Sequence, residues 1–318
     1  MRLRERISKP GRPVVVYEIL PPRIVDGTID SYAERISTLL SRTHIDAINI
    51  PEVHAEESRG ARPIEEAKRA EPREFGRMIQ DSVGIEAIVN RVTVLETPET
   101  QIEWFRTTHD EYGIDNIVLV GGESGQIDYP GPSVSESSSI IEDLNIRNGA
   151  EIFRGGICLP SRKIESQRLL RKGNDGIEFF TTQVLYCSED ICKMLGHYDR
   201  LCSHSGQGPK RVLLSFAPIS TEKNLSFLKW LGVEVPVETE QYIIQKESKI
   251  KERSIEVSIG VLEEILSHIE EEGIMVPIGL NIEHIMSYNF SHSVEMLQKM
   301  SKIYRSFCLN SSLYGETG

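Results

Sequence analysis

The sequence predicts a (β/α)8 barrel, read as one domain over residues 1–318. Three observations predict it. Apolar, strand-like runs alternate with helix-like stripes along the whole chain. The runs number eight, and most are continuous, as in a parallel sheet covered on both faces. A length of 318 residues leaves one barrel or two smaller domains open. No linker, repeat or low-complexity segment divides the chain, and glycine and proline are spread along it. The alternative is an open doubly wound sheet. It is weakened because no G-x-G-x-x-G follows the first strand.

The strands are expected at 13–20, 45–51, 85–94, 116–121, 151–159, 177–185, 211–219 and 276–284. Helices fill the gaps. Ile29, Tyr32, Ala33, Ile36, Leu39 and Leu40 form one apolar stripe. "TPETQIEWF" begins with Thr97 as N-cap and Pro98 in the first turn. "SEDICKML" has Ser188 as a cap, and "STEKNLSFLKWLG" begins at Ser220 and stops at Gly232. Ile255, Ile259, Leu262, Leu266 and Ile269 make a long stripe ending at Gly273, and Val294, Leu297, Met300 and Tyr304 make the last. Residues 234–253 are extra helix or loop. The N-terminal "MRLRERISKPGR" is basic without an apolar segment behind it, so it is not a secretory signal. It reads as a short helix entering the first strand.

Hydrophobic residues make up 39% and charged residues 26%, as in a soluble globular protein. A net charge of -12 argues against nucleic acid, whose phosphates need a basic face. No apolar run is long enough for a membrane span. Five cysteines, an odd number without a signal, fit a reducing cytoplasm. Cys187, Cys192, Cys202 and His204 cluster, but C-x4-C followed by C-x-H is not a usual zinc spacing. The cysteines read as buried apolar residues, and no metal is expected.

In such a barrel the site lies at the C-terminal ends of the strands. The first strand ends in "VVVYEILPPR", with Glu18 among apolar neighbours and two prolines forbidding continuation. Desolvating a carboxylate there is costly unless it is paired or protonated, which suits a catalytic acid. The other ends supply Asn49 before Pro51 and Glu52; Asn90 and Arg91; Gly121, Gly122 and Glu123; Thr181, Thr182 and Gln183; Ser215; and Asn281, Glu283 and His284. Each has a bland alternative: Gln183 bonding a loop amide, Glu283 and His284 pairing with each other, Glu123 capping a helix. Together Glu18, Glu123 and Gln183 mark one rim. Two carboxylates in a sheltered mouth can serve as acid and charged stabiliser, and a glutamine can donate and accept at a heterocycle edge.

These motifs resemble the methylenetetrahydrofolate reductase family. "YEILPPR" matches its aromatic-Glu-x-x-Pro-Pro-Lys/Arg opening, "EFFTTQVLYCSED" is similar to its Thr-Gln strand, and "IGLNIEH" to its Leu-Asn strand. "GIDNIVLVGGES" looks like its fourth strand, and Lys172 stands eleven residues before Gln183, at a family lysine position. The likeness runs in order over nearly the whole chain. It implies a flavin (FAD) barrel of one-carbon metabolism and methionine biosynthesis, reducing 5,10-methylenetetrahydrofolate to 5-methyltetrahydrofolate. Glu18 would protonate the folate nitrogen, with Glu123 where the family places an aspartate. Gln183, Thr182 and Asn281 would hold the folate, and Asn90, Gly122, Leu159 and Lys172 the flavin. A homo-oligomer, or a redox or methyltransferase partner, is expected.

The sequence departs from the family mainly on the flavin side. The Arg-Gly-Asp turn is Gly121-Gly122-Glu123, the third-strand histidine is Asn90, and Tyr-Pro-Glu is Leu159-Pro160-Ser161. The second-strand threonine is Pro51, and a phenylalanine aligns near Glu222. Folate binding is therefore expected to be better kept than flavin binding. A flavin-free barrel handling methyltetrahydrofolate for a methyltransferase is the alternative. A metal-dependent lyase using Glu123, Glu283 and His284 is a third reading.

Overall fold

All eight apolar runs form strands in the computed structural model, which describes residues 1–313 apart from 42, 55–59, 65–66, 123–126, 312 and the side chain of 287. The strands are β1 (Val15–Glu18), β2 (Ala47–Ile50), β3 (Glu86–Val92), β4 (Asn116–Val120), β5 (Phe153–Cys158), β6 (Phe179–Val184), β7 (Arg211–Phe216) and β8 (Ile278–Glu283). All are parallel, each pairs with the next, and β1 closes on β8. This closed barrel replaces the open-sheet alternative. The strands are shorter than the apolar runs because the runs continue into the loops.

The helices are α1 (Leu3–Ile7), α2 (Ile29–Leu40), α3 (Pro72–Val83), α4 (Pro98–Asp110), α5 (Val134–Asn148), α6 (Glu165–Asn174), α7 (Glu189–Ser205), α8 (Glu222–Trp230), α9 (Val237–Ile244), α10 (Ile250–Glu272) and α11 (Phe290–Asn310). Thr97 caps α4 by accepting from the Thr100 amide. The cap of α8 is Thr221, one residue beyond Ser220. Ser188 stands at the start of α7, but its hydroxyl donates to Glu264 instead. Three further helices, α3, α5 and α6, fill gaps for which no stripe is named above; α3 buries Phe75 and Ile79. α5 buries Ser137, Ser138 and Ile141, and α6 buries Glu165, Ser166 and Leu169.

Alternation along the strands sends every second side chain inward. Val16, Ala47, Ile88, Val118, Phe153, Phe179 and Leu213 fill the barrel, and Leu3 and Ile7 of α1 plug its floor. The rings of Phe153 and Phe179 stack 5.1 Å apart. Gly155 makes room for them, since a Cβ there would lie 2.5 Å from the Phe179 ring. The outward side chains pack against the helices in a second, larger core. Among the described residues, no helix is long and apolar enough to cross a membrane.

Candidate functional site

Above the Val16 layer, the same inward parity carries polar residues instead of apolar ones. Glu18 follows Val16, Asn49 follows Ala47, Asn90 follows Ile88, Ser215 follows Leu213, and Asn281 and Glu283 follow Gly279. The β1–β8 register sets Glu18 directly beside Glu283. Asn49 donates to Glu18 Oε2 at 2.6 Å. Asn281 donates to Glu283 Oε1 at 3.1 Å and to Ser215 Oγ at 3.0 Å. The two acids are thus held by neutral amides.

Burial pushes the Glu18 carboxyl up to about 7, against the opposing hydrogen bonds from Asn49 and Asn281. Burial, and next the charge of Glu18, push Glu283 well above the usual carboxylate range, while Ser215 and Asn281 oppose the shift. His284 is fully buried behind the pair, between Tyr17 and Phe290, with ring centres 6.4 and 6.2 Å away. Burial, and then the charge of Arg69, push its imidazole down to about 3, so it is neutral. It is no cationic partner for Glu283. Ile285, next in sequence, has φ +55°, a conformation uncommon for a β-branched residue and found at ligand clamps.

Glu52 shows how a paired acid at the same rim differs. Burial raises it, but His54, Arg91 and the Val92 amide outweigh burial and hold it below its ordinary value. Arg91 meets Glu52 at 2.6 Å and His54 meets it at 3.1 Å.

A cavity of about 190 Å³ opens over the acid pair, with Glu18, Glu283, Gln183, Arg62, Arg69 and Trp230 in its lining. Gln183 divides it from a second chamber of about 230 Å³ that includes Leu159, Arg162 and Tyr186. The β6–β7 register shifts between Thr181 and Val184. Such irregularities re-aim side chains beside sites. Gln183 donates to the Leu231 carbonyl at 3.0 Å and accepts from the Val184 amide at 3.2 Å.

The other expected residues are placed differently. Thr182 points out of the barrel by parity, and its hydroxyl accepts from the Ser215 amide at 2.9 Å. Asn281 lies under the carboxylates, buried at 1% exposure, and acts on the acids first. Glu123 lies outside the described residues. The Lys172 ammonium donates to the Ile157 carbonyl at 2.7 Å, and burial lowers its affinity for the proton. The Leu159 amide donates to the buried Glu165 at 3.0 Å. A Cβ on Gly122 would meet the Tyr129 ring at 2.3 Å, so that glycine admits Tyr129. Asn90 is buried at 9% exposure. The lysine, the amide and the glycine are thus engaged within the protein, while the Asn90 Oδ1 is buried without a hydrogen-bond partner.

No cluster of three or more His, Cys, Asp and Glu side chains suited to a metal occurs among the described residues. Cys192 and Cys202 are buried in the outer core, while His204 Nδ1 donates to the Arg200 carbonyl at 2.7 Å on an exposed helix end. Sequence reasoning set Glu283 against His284 and missed its pairing with Glu18. The signal was available: Glu18 and Glu283 each keep inward parity with the residues two before them. Arg62, Arg69, Phe227 and Trp230 carried no such signal, because the arginines lie in a loop without periodicity.

These features define a closed (β/α)8 barrel with a pair of acids held by amides in its C-terminal mouth. Residues 13–302 match the family described as mycobacterial methylenetetrahydrofolate reductase, and the chain belongs to that family. No curated protein matches it. Among solved structures, it is similar to an uncharacterized protein from Clostridium thermocellum described as binding two copies of 5-methyl-5,6,7,8-tetrahydrofolic acid. That likeness has a TM-score of 0.77 and 22% identity, covering 95% of this chain and 99% of the other. A GH113 β-1,4-mannanase shares the fold at a TM-score of 0.52 and 9% identity, covering 98% and 100% of the two chains.

Proposed function

We propose that this chain binds a reduced folate in the barrel mouth and reduces its methylene bridge to a methyl group, with Glu18 as general acid. The observation that carries the reading is the amide-held Glu18–Glu283 pair facing one cavity. Family membership and the folate-binding neighbour support the substrate class.

An acid whose pKa lies near 7 keeps much of its proton at neutral pH and still gives it up readily. Glu18 donates to a bridge nitrogen, and the five-membered ring opens to an iminium cation. The new Glu18 carboxylate then stands against that cation, a charge placed where charge develops. Neutral Glu283 can donate a hydrogen bond to the carboxylate, which limits the cost of leaving it buried. Beyond its bonds to Leu231 and Val184, the Gln183 amide keeps one N–H and one lone pair for the pterin edge. A hydride donor must complete the reduction, and three of the four flavin-side residues, Lys172, Leu159 and Gly122, are engaged within the protein. We therefore favour a hydride source other than a resident flavin.

That same observation favours a second reading, a flavin-free barrel that carries methyltetrahydrofolate to a methyltransferase. A visible spectrum and calorimetric titration with 5-methyltetrahydrofolate test both readings together. The expected result is a colourless protein that binds the folate. Stoichiometric flavin surviving dialysis would contradict the flavin-free part, and no folate binding would sink both readings. Conversion of methylenetetrahydrofolate, supplied with reduced nicotinamide or separately with reduced flavin, separates reductase from carrier.

A further inference from the structure

The two acids of the mouth are not held alike. Asn281 Nδ2 donates to both Glu283 and Ser215, so that amide has two acceptors. Asn49 Nδ2 donates to Glu18 Oε2 at 2.6 Å. Asn49 is 2% exposed, and its Oδ1 is buried with no hydrogen-bond partner among the described residues. An unsatisfied amide oxygen is costly in a protein interior, so a purely structural role would be better filled by an apolar side chain. The backbone fixes where this amide stands. Asn49 is the register partner of Glu18 between β1 and β2, and its carbonyl accepts from the Ile19 amide at 2.8 Å. Glu18 lines the cavity and Asn49 does not.

An amide N–H donates and cannot accept. Glu18 Oε2 is therefore an acceptor, and a proton on this carboxyl sits on Oε1. We propose that Asn49 is a positioning residue: it holds Oε2 as the carbonyl oxygen of Glu18 and leaves Oε1 to carry the proton to the ligand. The proposal rests on the reading of Glu18 as general acid and adds the residue that aims it. Aim matters because a small misplacement of a reacting group costs rate steeply. The same bond favours the carboxylate left once the proton has gone, against the burial that opposes it. The other charged or titratable groups around Glu18 are Glu283 on β8 with His284 behind it, Glu52 and His54 after β2, and Arg62 and Arg69 beyond them. All are retained when Asn49 is replaced, so a change at Glu18 then reports the lost amide.

The test uses Asn49→Leu, of similar size without a donor, and Asn49→Ala in case the leucine is not accommodated. Infrared difference spectra against Glu18→Gln isolate the carbonyl stretch of protonated Glu18. A carbonyl that accepts a hydrogen bond stretches at lower frequency, so the band should move up in both variants. Its titration midpoint should rise by about one pH unit, a factor of about ten in proton affinity. Single-turnover reduction of 5,10-methylenetetrahydrofolate, with reduced nicotinamide or reduced flavin as donor, should slow by about tenfold or more below the parent midpoint. Binding of 5-methyltetrahydrofolate should stay within about twofold. A band and midpoint unmoved in both variants would overturn the proposal while Glu18 remains the acid. Melting lower by several degrees with an unmoved midpoint would make Asn49 structural and would overturn it too. Glu18→Gln reducing the substrate at the parent rate would remove both the acid and its positioning residue.

Discussion

The floor and the mouth of this barrel both bury charge, but they treat it in opposite ways. At the floor, Arg211 is 2% exposed and its guanidinium donates to the carbonyls of Ile7, Lys9, Pro10 and Ile278. Arg154 meets Glu142 at 2.7 Å, and Arg6 meets Asp46 at 3.1 Å. At the mouth, Glu18 and Glu283 stand together with amide and hydroxyl partners and raised pKa values. The floor spends polar groups on fixing α1 and closing the barrel. The mouth gives Glu18 and Glu283, unlike Glu52, amide partners rather than ion pairs, which costs stability and leaves them able to hold and release protons. Charge pairing thus separates the buried arginines of the floor from the Glu18–Glu283 pair of the mouth.

Breaking the floor should give the largest effect. Arg211→Met strands four carbonyls and should cost about 3 kcal/mol or more, with a melting temperature lower by several degrees. Folate affinity of the folded fraction should be nearly unchanged. A thermal melt with a parallel titration checks this, and an unshifted melt would remove the distinction between the two ends.

At the mouth, Gln183→Ala removes the amide that divides the two chambers. It should weaken 5-methyltetrahydrofolate by about tenfold, as loss of a hydrogen bond in a desolvated site does. Titration of the variant would place Gln183 outside the folate site if affinity did not change.

The smallest effect sharpens the comparison through pH. Glu283 is raised in the folded protein, so its contribution to stability is fully present below the unfolded carboxyl value. It is lost as pH rises through the folded value. Glu283→Gln should therefore melt with the parent near pH 4 and above it near pH 8. A shift of about 2–4 °C corresponds to each kcal/mol in a domain of this general size. Melting curves across pH check the sign, and a variant less stable at pH 8 would mean that Glu283 is paired rather than stranded.

The barrel was legible because eight apolar runs carried it, and hydrophobic burial sets both strand position and closure. The helices α5 and α6 were less legible, because serines and a buried glutamate occupy much of their inner faces. Glu18 was legible from its cost: a carboxylate in an apolar strand before two prolines. Glu283 was visible as a residue but not as a partner, since β1 and β8 meet only when the barrel closes. Thr182 was read together with Gln183, but its hydroxyl accepts from the Ser215 amide. Adjacent strand residues face opposite ways, and parity sends Thr182 to the helices. Lys172 matches a family lysine and Leu159 replaces a family tyrosine, yet the polar groups of both are spent on Ile157 and Glu165. Position in sequence does not reveal which partner a donor finds.

The central claim is that Glu18 gives up the proton that opens the folate ring. Its most direct test is single-turnover reduction of 5,10-methylenetetrahydrofolate by the parent and Glu18→Gln, followed from pH 5.5 to 8.5 with reduced nicotinamide and, separately, reduced flavin as donor, a window of about 1.5 units either side of the value at which Glu18 titrates. The parent rate should fall as pH rises through about 7, because the protonated acid is consumed. The variant should bind 5-methyltetrahydrofolate nearly as well, melt no lower, and be slower by about a hundredfold or more, the scale of general acid catalysis. A variant that reduces the substrate at the parent rate, or a parent rate that does not change with pH, would contradict the claim.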